Sequence, residues 1–408
     1  MRKTVAVVGG GAAGLMAAFA AAQNGNDVTV FERNLRPARK VMITGKGRCN
    51  VTNNCDRDTF IENVVHGGRF LFSAYNAFST ADTMSFFEQR GVKLKTERGN
   101  RVFPVSDKAT DIVDALVNSV KKVGCKIVND RVESLQTDSG KISKLKTFSG
   151  NEFFFDAVIL ATGGASYPVT GSDGDGYIIA KNLGHTINPI RPSLVPLNAH
   201  EGFCTELCGL SLKNVRLSLY SKDKRKPIFS EMGEMMFTHF GITGPLVLSA
   251  SAYMDNTDTE YFAEIDLKPA LDYETLDKRI LRDFASEPNK DFINSLDNLL
   301  PKRLISVIVR NSAIDKRKKV NSITRQERAT LIQCLKCFKL TGLTFRPIEE
   351  AIITNGGVAL KEVNSATMES KLIKGLFLAG ELLDVDALTG GFNLQIAFST
   401  GYLAGKSV

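Results

Sequence analysis

One stretch constrains the fold of this chain more than any other: Thr4–Glu32, TVAVVGGGAAGLMAAFAAAQNGNDVTVFE. Val5–Val8 is a short apolar run dominated by β-branched residues, which predicts a buried parallel strand. Gly9, Gly11 and Gly14 follow as G-x-G-x-x-G, then the Ala-rich Leu15–Gln23 predicts a helix and Val28–Phe31 a second strand ending at Glu32. Each glycine has a physical job. The first permits a tight turn, the second lets a pyrophosphate reach the backbone, and the third lets the helix pack on the strand. The helix start offers unpaired N–H groups and a positive dipole end to the phosphates. An acid closing the second strand accepts a ribose 2′-hydroxyl, which favours a free hydroxyl over a 2′-phosphate at that position. Met1-Arg2-Lys3 ahead of a small apolar run also looks like a secretory leader, but three consecutive glycines inside a strand–helix–strand pattern argue against it.

A chain of 408 residues exceeds one compact core and predicts two or three domains. No uninterrupted apolar run approaches the ~18 residues of a membrane span. Seven cysteines, odd in number and without framework spacing, point to a reducing, cytoplasmic setting. The net charge of +8 is local. Lys302–Arg328 carries nine Lys/Arg against Asp315 and Glu327, leaving 43 basic and 42 acidic residues elsewhere. Such a run suits nucleic acid or an anionic partner, although a solvated helix face is the commoner meaning.

Along the chain, residues 1–190 read as α/β. Gly45 and Gly47 in Ile43–Asn54 (ITGKGRCNVTNN) predict a loop whose backbone approaches a ligand, with Arg39, Lys40 and Arg48 as phosphate cations. Asp111–Val123 predicts a helix, Lys126–Leu135 a strand with Val132 where chains of this architecture often pass an adenine, and Phe153–Leu160 a strand ending in Ala161-Thr162-Gly163-Gly164. Residues 191–270 read as a β domain, because Val215, Leu217 and Leu219, and later Tyr261, Ala263, Ile265 and Leu267, alternate with polar neighbours. Residues 271–340 read as helical. Asp272 caps a helix with Leu276, Ile280, Leu281 and Phe284 on one stripe, and Thr324–Glu327 forms a capping box before Leu331, Ile332, Leu335 and Phe338. Residues 341–408 return to the first theme: an apolar strand Leu376–Ala379, Gly380-Glu381, and a Gly-rich turn opening a last helix over Thr389–Gly405. A dinucleotide fold that begins at residue 4 and resumes at the C-terminal end is discontinuous, with the middle inserted.

The segments ITGKGRCNVTN, ATGG, MFTHFGITGP, TNGGV and GLFLAGELLDVDALTGGFNLQIAFSTG resemble the YhiN/BaiN-type FAD-dependent flavoproteins, a family also described as aminoacetone-oxidase-like or NAD(P)/FAD-dependent oxidoreductases. The match runs from Val5 to Gly405. The resemblance implies a discontinuous Rossmann-like FAD-binding domain with an inserted β-barrel-like domain and a small helical domain. It implies FAD ligands at Gly9, Gly11, Ala13, Gly14, Glu32, Arg33, Lys40, Gly45, Arg48 and Asn50, with Val132, Gly163, Gly380, Glu381, Asn393 and Leu394 completing the pocket. Ala12, Arg39, Thr44, Gly47, Ala161, Thr162, Gly164, Gly391 and Phe392 belong to the same loops and helix starts. The C-terminal glycine-rich helix start is what favours FAD over NAD, since its positive end suits a reduced, anionic flavin.

Other signals weigh less. Cys49 and Cys55 fall where some flavoproteins keep a redox pair, but the five residues between them and the GRCN motif speak against one. Cys204/Cys208 and Cys334/Cys337 would give four zinc ligands, but Cys334 and Cys337 fall on one predicted helix, which lacks the hairpin geometry of a zinc knuckle, so no metal is expected. His239, in Thr238-His239-Phe240-Gly241, is a candidate proton donor or simply a turn-supporting histidine. Tyr167, just past ATGG, is a second candidate. ATGG lacks the third glycine of another fingerprint, so NAD(P)H is expected only as a transient electron donor. The chain thus reads as an FAD-dependent oxidoreductase moving a hydride between flavin and a small organic molecule, an enone or ketone among them, with the insert covering the flavin. The alternatives are an RNA-acting flavoprotein, disfavoured by the few aromatics near the basic run, a small-amine oxidase using oxygen, and a flavin binder without turnover.

Overall fold

The computed structural model describes residues 2–255 and 259–408, which divide into two compact units: 2–193 with 347–408, and 194–346.

The first unit is built on a five-stranded parallel sheet. Its strands are β1 (Thr4–Val8), β2 (Asp27–Phe31), Lys126–Val128, Ala157–Leu160 and Leu376–Leu378; β1 lies at the centre, between Ala157–Leu160 and β2. Helix α1 (Ala12–Gln23) connects β1 to β2. It is buried almost all round, as its unbroken apolar sequence requires. The C-terminal helix, Phe392–Ser407, packs along it so closely that a Cβ at Gly401 would lie 2.2 Å from the Ala13 carbonyl oxygen and one at Gly405 2.2 Å from that of Ala17. The small residues of both helices are therefore a packing requirement, and they bring the last helix of the chain beside the first.

Two expected strands are each divided. Lys126–Leu135 becomes Lys126–Val128 in the parallel sheet and Val132–Asp138 in a separate three-stranded antiparallel sheet. Phe153–Leu160 likewise splits into Glu152–Phe154 and Ala157–Leu160. The break falls at Asp156, whose carboxylate accepts the backbone N–H of Thr4 at 2.8 Å and its hydroxyl at 2.9 Å, which draws the chain across to the start of β1.

The second unit is a closed six-stranded antiparallel barrel with helices. Its strands run in the order Leu197–Asn198, Gly241–Thr243, Phe229–Phe237, Ser211–Ser221, Tyr261–Asp266 and Phe338–Phe345. Leu217 faces Ile265 and Leu219 faces Ala263 across neighbouring strands, with both pairs buried, so the alternation seen in the sequence sets the register. The helices Tyr273–Ser286 and Arg325–Lys336 start on side-chain caps. Asp272 accepts from the Thr275 N–H at 2.7 Å, and Thr324 and Glu327 form a reciprocal capping box. Three details differ from expectation. Leu281 is exposed rather than on the buried stripe, and Phe338 begins a strand instead of continuing the helix. The helices of 271–340 do not form a domain of their own, because they share one apolar core with the barrel, and Phe338–Phe345 beyond them supplies a barrel strand.

Candidate functional site

The glycine loop of the first unit is shaped by steric necessity. Gly9 has φ of 102°, and a Cβ on Gly14 would sit 1.8 Å from the Gly9 carbonyl oxygen. Space beside Gly11, in contrast, is open. No side chain caps α1, so its first-turn amides are left to a partner from outside the helix. Glu32 is buried at the end of β2. Its carboxylate accepts the Gly10 N–H at 2.8 Å, and the Asn34 N–H and Nδ2, both at 2.8 Å.

Lys40 reaches across to the last third of the chain. Its Nζ donates to Glu381 at 2.7 and 3.0 Å and to Ser166 Oγ at 2.7 Å. Glu381 also accepts the Thr354 N–H at 2.8 Å, and Thr354 Oγ1 in turn accepts the Ala165 N–H at 2.9 Å. A Cβ on Gly164 would lie 2.4 Å from Thr354 Oγ1, so this network requires glycine there. The Ala161–Gly164 loop and Gly380-Glu381 are thereby joined, as sequence neighbours of the adjacent parallel strands Ala157–Leu160 and Leu376–Leu378. Val132 is buried just past Asn129, whose Nδ2 donates to the Glu32 carbonyl at 2.9 Å. The Thr44–Asn50 loop folds back on itself, with Gly45, Lys46, Gly47 and Cys49 all at positive φ. The Oδ1 of Asn50 and the Oγ1 of Thr162 are buried with no hydrogen-bond partner among the described residues. Orphans of this kind are rare in folded chains, and a bound polar group is one thing that answers them; Asn26 Nδ2 and Arg131 Nε are orphaned likewise.

The C-terminal helix also begins on a glycine, Gly391 at φ 98°, with no side-chain cap. Phe392 is buried at that start, and its first-turn amides, those of Asn393 and Leu394 among them, have no intrahelical partner. The Asn393 side chain instead clamps the preceding strand, accepting the Ala387 N–H at 3.0 Å and donating to the Ala387 carbonyl at 2.7 Å. Gln395, which the sequence did not single out, is fully buried and bonded to Thr52 at 2.6 Å, Thr83 at 2.8 Å and the Phe78 carbonyl at 3.0 Å. These features fit FAD: a glycine turn with open space beside Gly11, glycine-led helix starts without side-chain caps, and orphaned polar atoms within one unit.

Several expected cations are engaged elsewhere. Arg33 is paired with Asp173 and Asp175. Arg48 lies over the Phe103 ring and pairs with Glu97 at 2.5 Å and Asp107 at 2.7 Å. Arg39 is exposed and bonds Asn34 at 3.2 Å. Thr44 Oγ1 turns back to the Val41 carbonyl at 2.7 Å. Tyr167 is half-buried, in a left-handed conformation at φ 54°. His239 belongs to the other unit. It is exposed, and its ring packs edge-on against Phe240. Burial pushes the Cys49 thiol up to about 12 and that of Cys55 to about 11, so neither carries a thiolate at neutral pH. Among the described residues no His/Cys/Asp/Glu cluster is arranged to hold a metal, and no helix is long and apolar enough to cross a membrane.

A second polar cluster escaped the sequence because its members lie far apart in it. The Asp386 carboxylate accepts Ser193 Oγ at 2.8 Å and Asn355 Nδ2 at 3.1 Å, and is in close contact with His66 Nδ1.

This fold and site define an FAD-dependent oxidoreductase. The chain matches the HI0933-like protein Rossmann domain family over residues 3–407 and belongs to it, in line with the motifs GRCN and TGGFNLQ. Among its relatives, the 3-dehydro-bile acid delta(4,6)-reductase of Clostridium scindens is 32% identical over 99% of this chain and 98% of its own length. The ribosomal RNA dihydrouridine synthase of Haemophilus influenzae is 31% identical over 98% of this chain and 97% of its own. In fold the chain is also similar to a 3-ketosteroid-delta4-(5alpha)-dehydrogenase from Rhodococcus jostii, with a TM-score of 0.53 and 15% identity, covering 100% of this chain and 96% of that one.

Proposed function

We propose that the protein reduces a carbon–carbon double bond conjugated to a carbonyl group in a small organic substrate. Bound FAD would supply the hydride, with NAD(P)H as a transient donor to it. The observation that carries this reading is the uncapped, glycine-led start of Phe392–Ser407 in the same unit as the uncapped start of α1. One positive helix end suits a pyrophosphate and the other suits the negative charge of a reduced flavin. Gly11 and the first-turn amides of α1 would hold the phosphates beyond the turn that Gly9 and Gly14 make possible, Glu32 would hold the ribose, and Asn50 would complete its hydrogen bonds on the cofactor. The named reactions of the two relatives support the substrate class. One acts on a dehydro-bile acid, and dihydrouridine is uridine reduced at a double bond conjugated to a ring carbonyl.

The test is anaerobic. The protein is loaded with FAD, the flavin is reduced chemically, and enones, ketoacids and amines are screened for reoxidation. Reoxidation by enones is expected. Reoxidation by oxygen alone would replace this reading with an oxidase, such as one acting on small amines.

A second reading keeps the chemistry and places the double bond in a uracil carried by RNA. The second relative favours it, as do the exposed Lys302, Lys316, Arg317 and Arg325, which form no ion pair among the described residues. Against it, the rest of the run is answered: Arg310 pairs with Glu206, Lys318 with Glu327, Lys319 with Asp291 and Arg328 with Asp277, while Arg303 donates to the Glu206 and Cys208 carbonyls. A salt-dependent shift of the protein with ribosomal RNA, absent for free uridine, would support the RNA reading.

A further inference from the structure

We propose that His66, held by Asp386, is the acid that protonates the substrate; this rests on the reductase reading above and names its proton donor. The geometry is that of an oriented imidazole. His66 ends the short strand Val64–His66, which pairs antiparallel with Asp386–Ala387, and the Leu388 N–H extends the pairing to the Asn63 carbonyl at 2.9 Å. The chain then turns through Thr389–Gly391 into the uncapped C-terminal helix, so the imidazole is anchored to the strand that delivers that helix start. The Asp386 side chain is 1% exposed and that of His66 31%. One member of the pair is thus enclosed while the other reaches the surface of its unit.

The enclosed carboxylate is oriented from two further sides. Ser193 Oγ donates to one oxygen, and Asn355 Nδ2 lies 3.1 Å from the other and 3.0 Å from His66 Nδ1. Asn355 directly follows Thr354, whose N–H binds Glu381, so the cluster shares a strand with the Lys40–Glu381 network. A carboxylate at Nδ1 fixes that proton in place and compensates the imidazolium from which Nε2 gives up its own. A buried, fully bonded aspartate beside a part-exposed histidine is more than a turn support needs. His239, by contrast, has its ring against Phe240 on an exposed turn.

The step balances as follows. With a reduced flavin bound, a hydride would be delivered to the β carbon of the enone, and the electron pair of the double bond would move toward the carbonyl as an enolate. The α carbon then takes the proton from His66 Nε2. Substrate gains two hydrogens, the flavin is oxidised by two electrons, and water returns the proton to the ring.

The experiment compares wild type, His66→Gln, His66→Ala and Asp386→Asn, each loaded with FAD, reduced anaerobically and mixed with the same enones. With FAD content equal to wild type, His66→Gln is expected to be reoxidised about 10²–10⁴-fold more slowly, with added imidazole restoring part of the rate to His66→Ala. Independently of turnover, the proton NMR spectrum of the oxidised protein should show a far-downfield Nδ1 proton that vanishes in His66→Gln and Asp386→Asn and persists in His239→Ala. Unchanged reoxidation of His66→Gln, or no such resonance in wild type, overturns the proposal. If wild type itself is reoxidised by no enone, the reductase reading falls first and this one with it.

Discussion

Two helices of the first unit and two of the second begin in opposite ways. Ala12–Gln23 and Phe392–Ser407 start on glycines without a side-chain cap, whereas Tyr273–Ser286 and Arg325–Lys336 start on Asp272 and on the Thr324–Glu327 box. Every helix start leaves four N–H groups without partners. A cap answers one or two of them and stabilises by about 0.5–2 kcal/mol. Forgoing that at two helices packed side by side makes sense where a ligand supplies the missing acceptor. Asp175–Asn182, Pro245–Ser251 and Lys302–Ser312 also start without a side-chain cap, so what sets Ala12–Gln23 apart is the open space beside Gly11, where an anion from outside the chain would meet its first-turn amides.

The largest expected effect tests the uncapped side. Gly14→Val places a branched side chain where even a Cβ would be 1.8 Å from the Gly9 carbonyl, so purified protein should carry no flavin by its visible absorbance. Retention of FAD by that variant would break the comparison. Next, Glu32→Ala should weaken FAD by about 1–3 kcal/mol in a fluorescence titration, because a buried acceptor is lost. The flavin released from wild type by denaturation should be FAD rather than FMN, since only a dinucleotide spans both the glycine loop and Glu32.

The capped side should respond in stability alone. Thr324→Ala is expected to cost about 1 kcal/mol in urea unfolding and to leave FAD affinity unchanged. A change in affinity would show that cap and cofactor are coupled. The smallest effect is a pH dependence. The Lys318 ammonium, followed by the Thr324 N–H and hydroxyl, holds Glu327 down from 4.5 to about 2. A carboxyl depressed in the folded state contributes stability in full above about 4.5 and loses it as the pH falls through about 2. Glu327→Gln should therefore differ from wild type in acid unfolding at pH 5 and converge with it near pH 2.

What the sequence determined by itself was local and periodic. G-x-G-x-x-G between two β-branched runs admits one kind of turn, because a Cβ at Gly14 has nowhere to go. Asp272 and Thr324–Glu327 cap because their partners lie three residues away. Val215, Leu217 and Leu219 share a face because a strand repeats every two residues. Tertiary structure decided whatever depends on distant partners. It broke Phe153–Leu160 at Asp156 to meet Thr4, turned Arg33 and Arg48 toward acids, and closed the barrel with Phe338–Phe345. It also gathered His66, Ser193, Asn355 and Asp386, which share no spacing a sequence could display. The reason is one of range: backbone sterics and side-chain periodicity act over a few residues and are written in the order of the chain. Which carboxylate meets which cation is settled only when sheets and helices bring remote segments together.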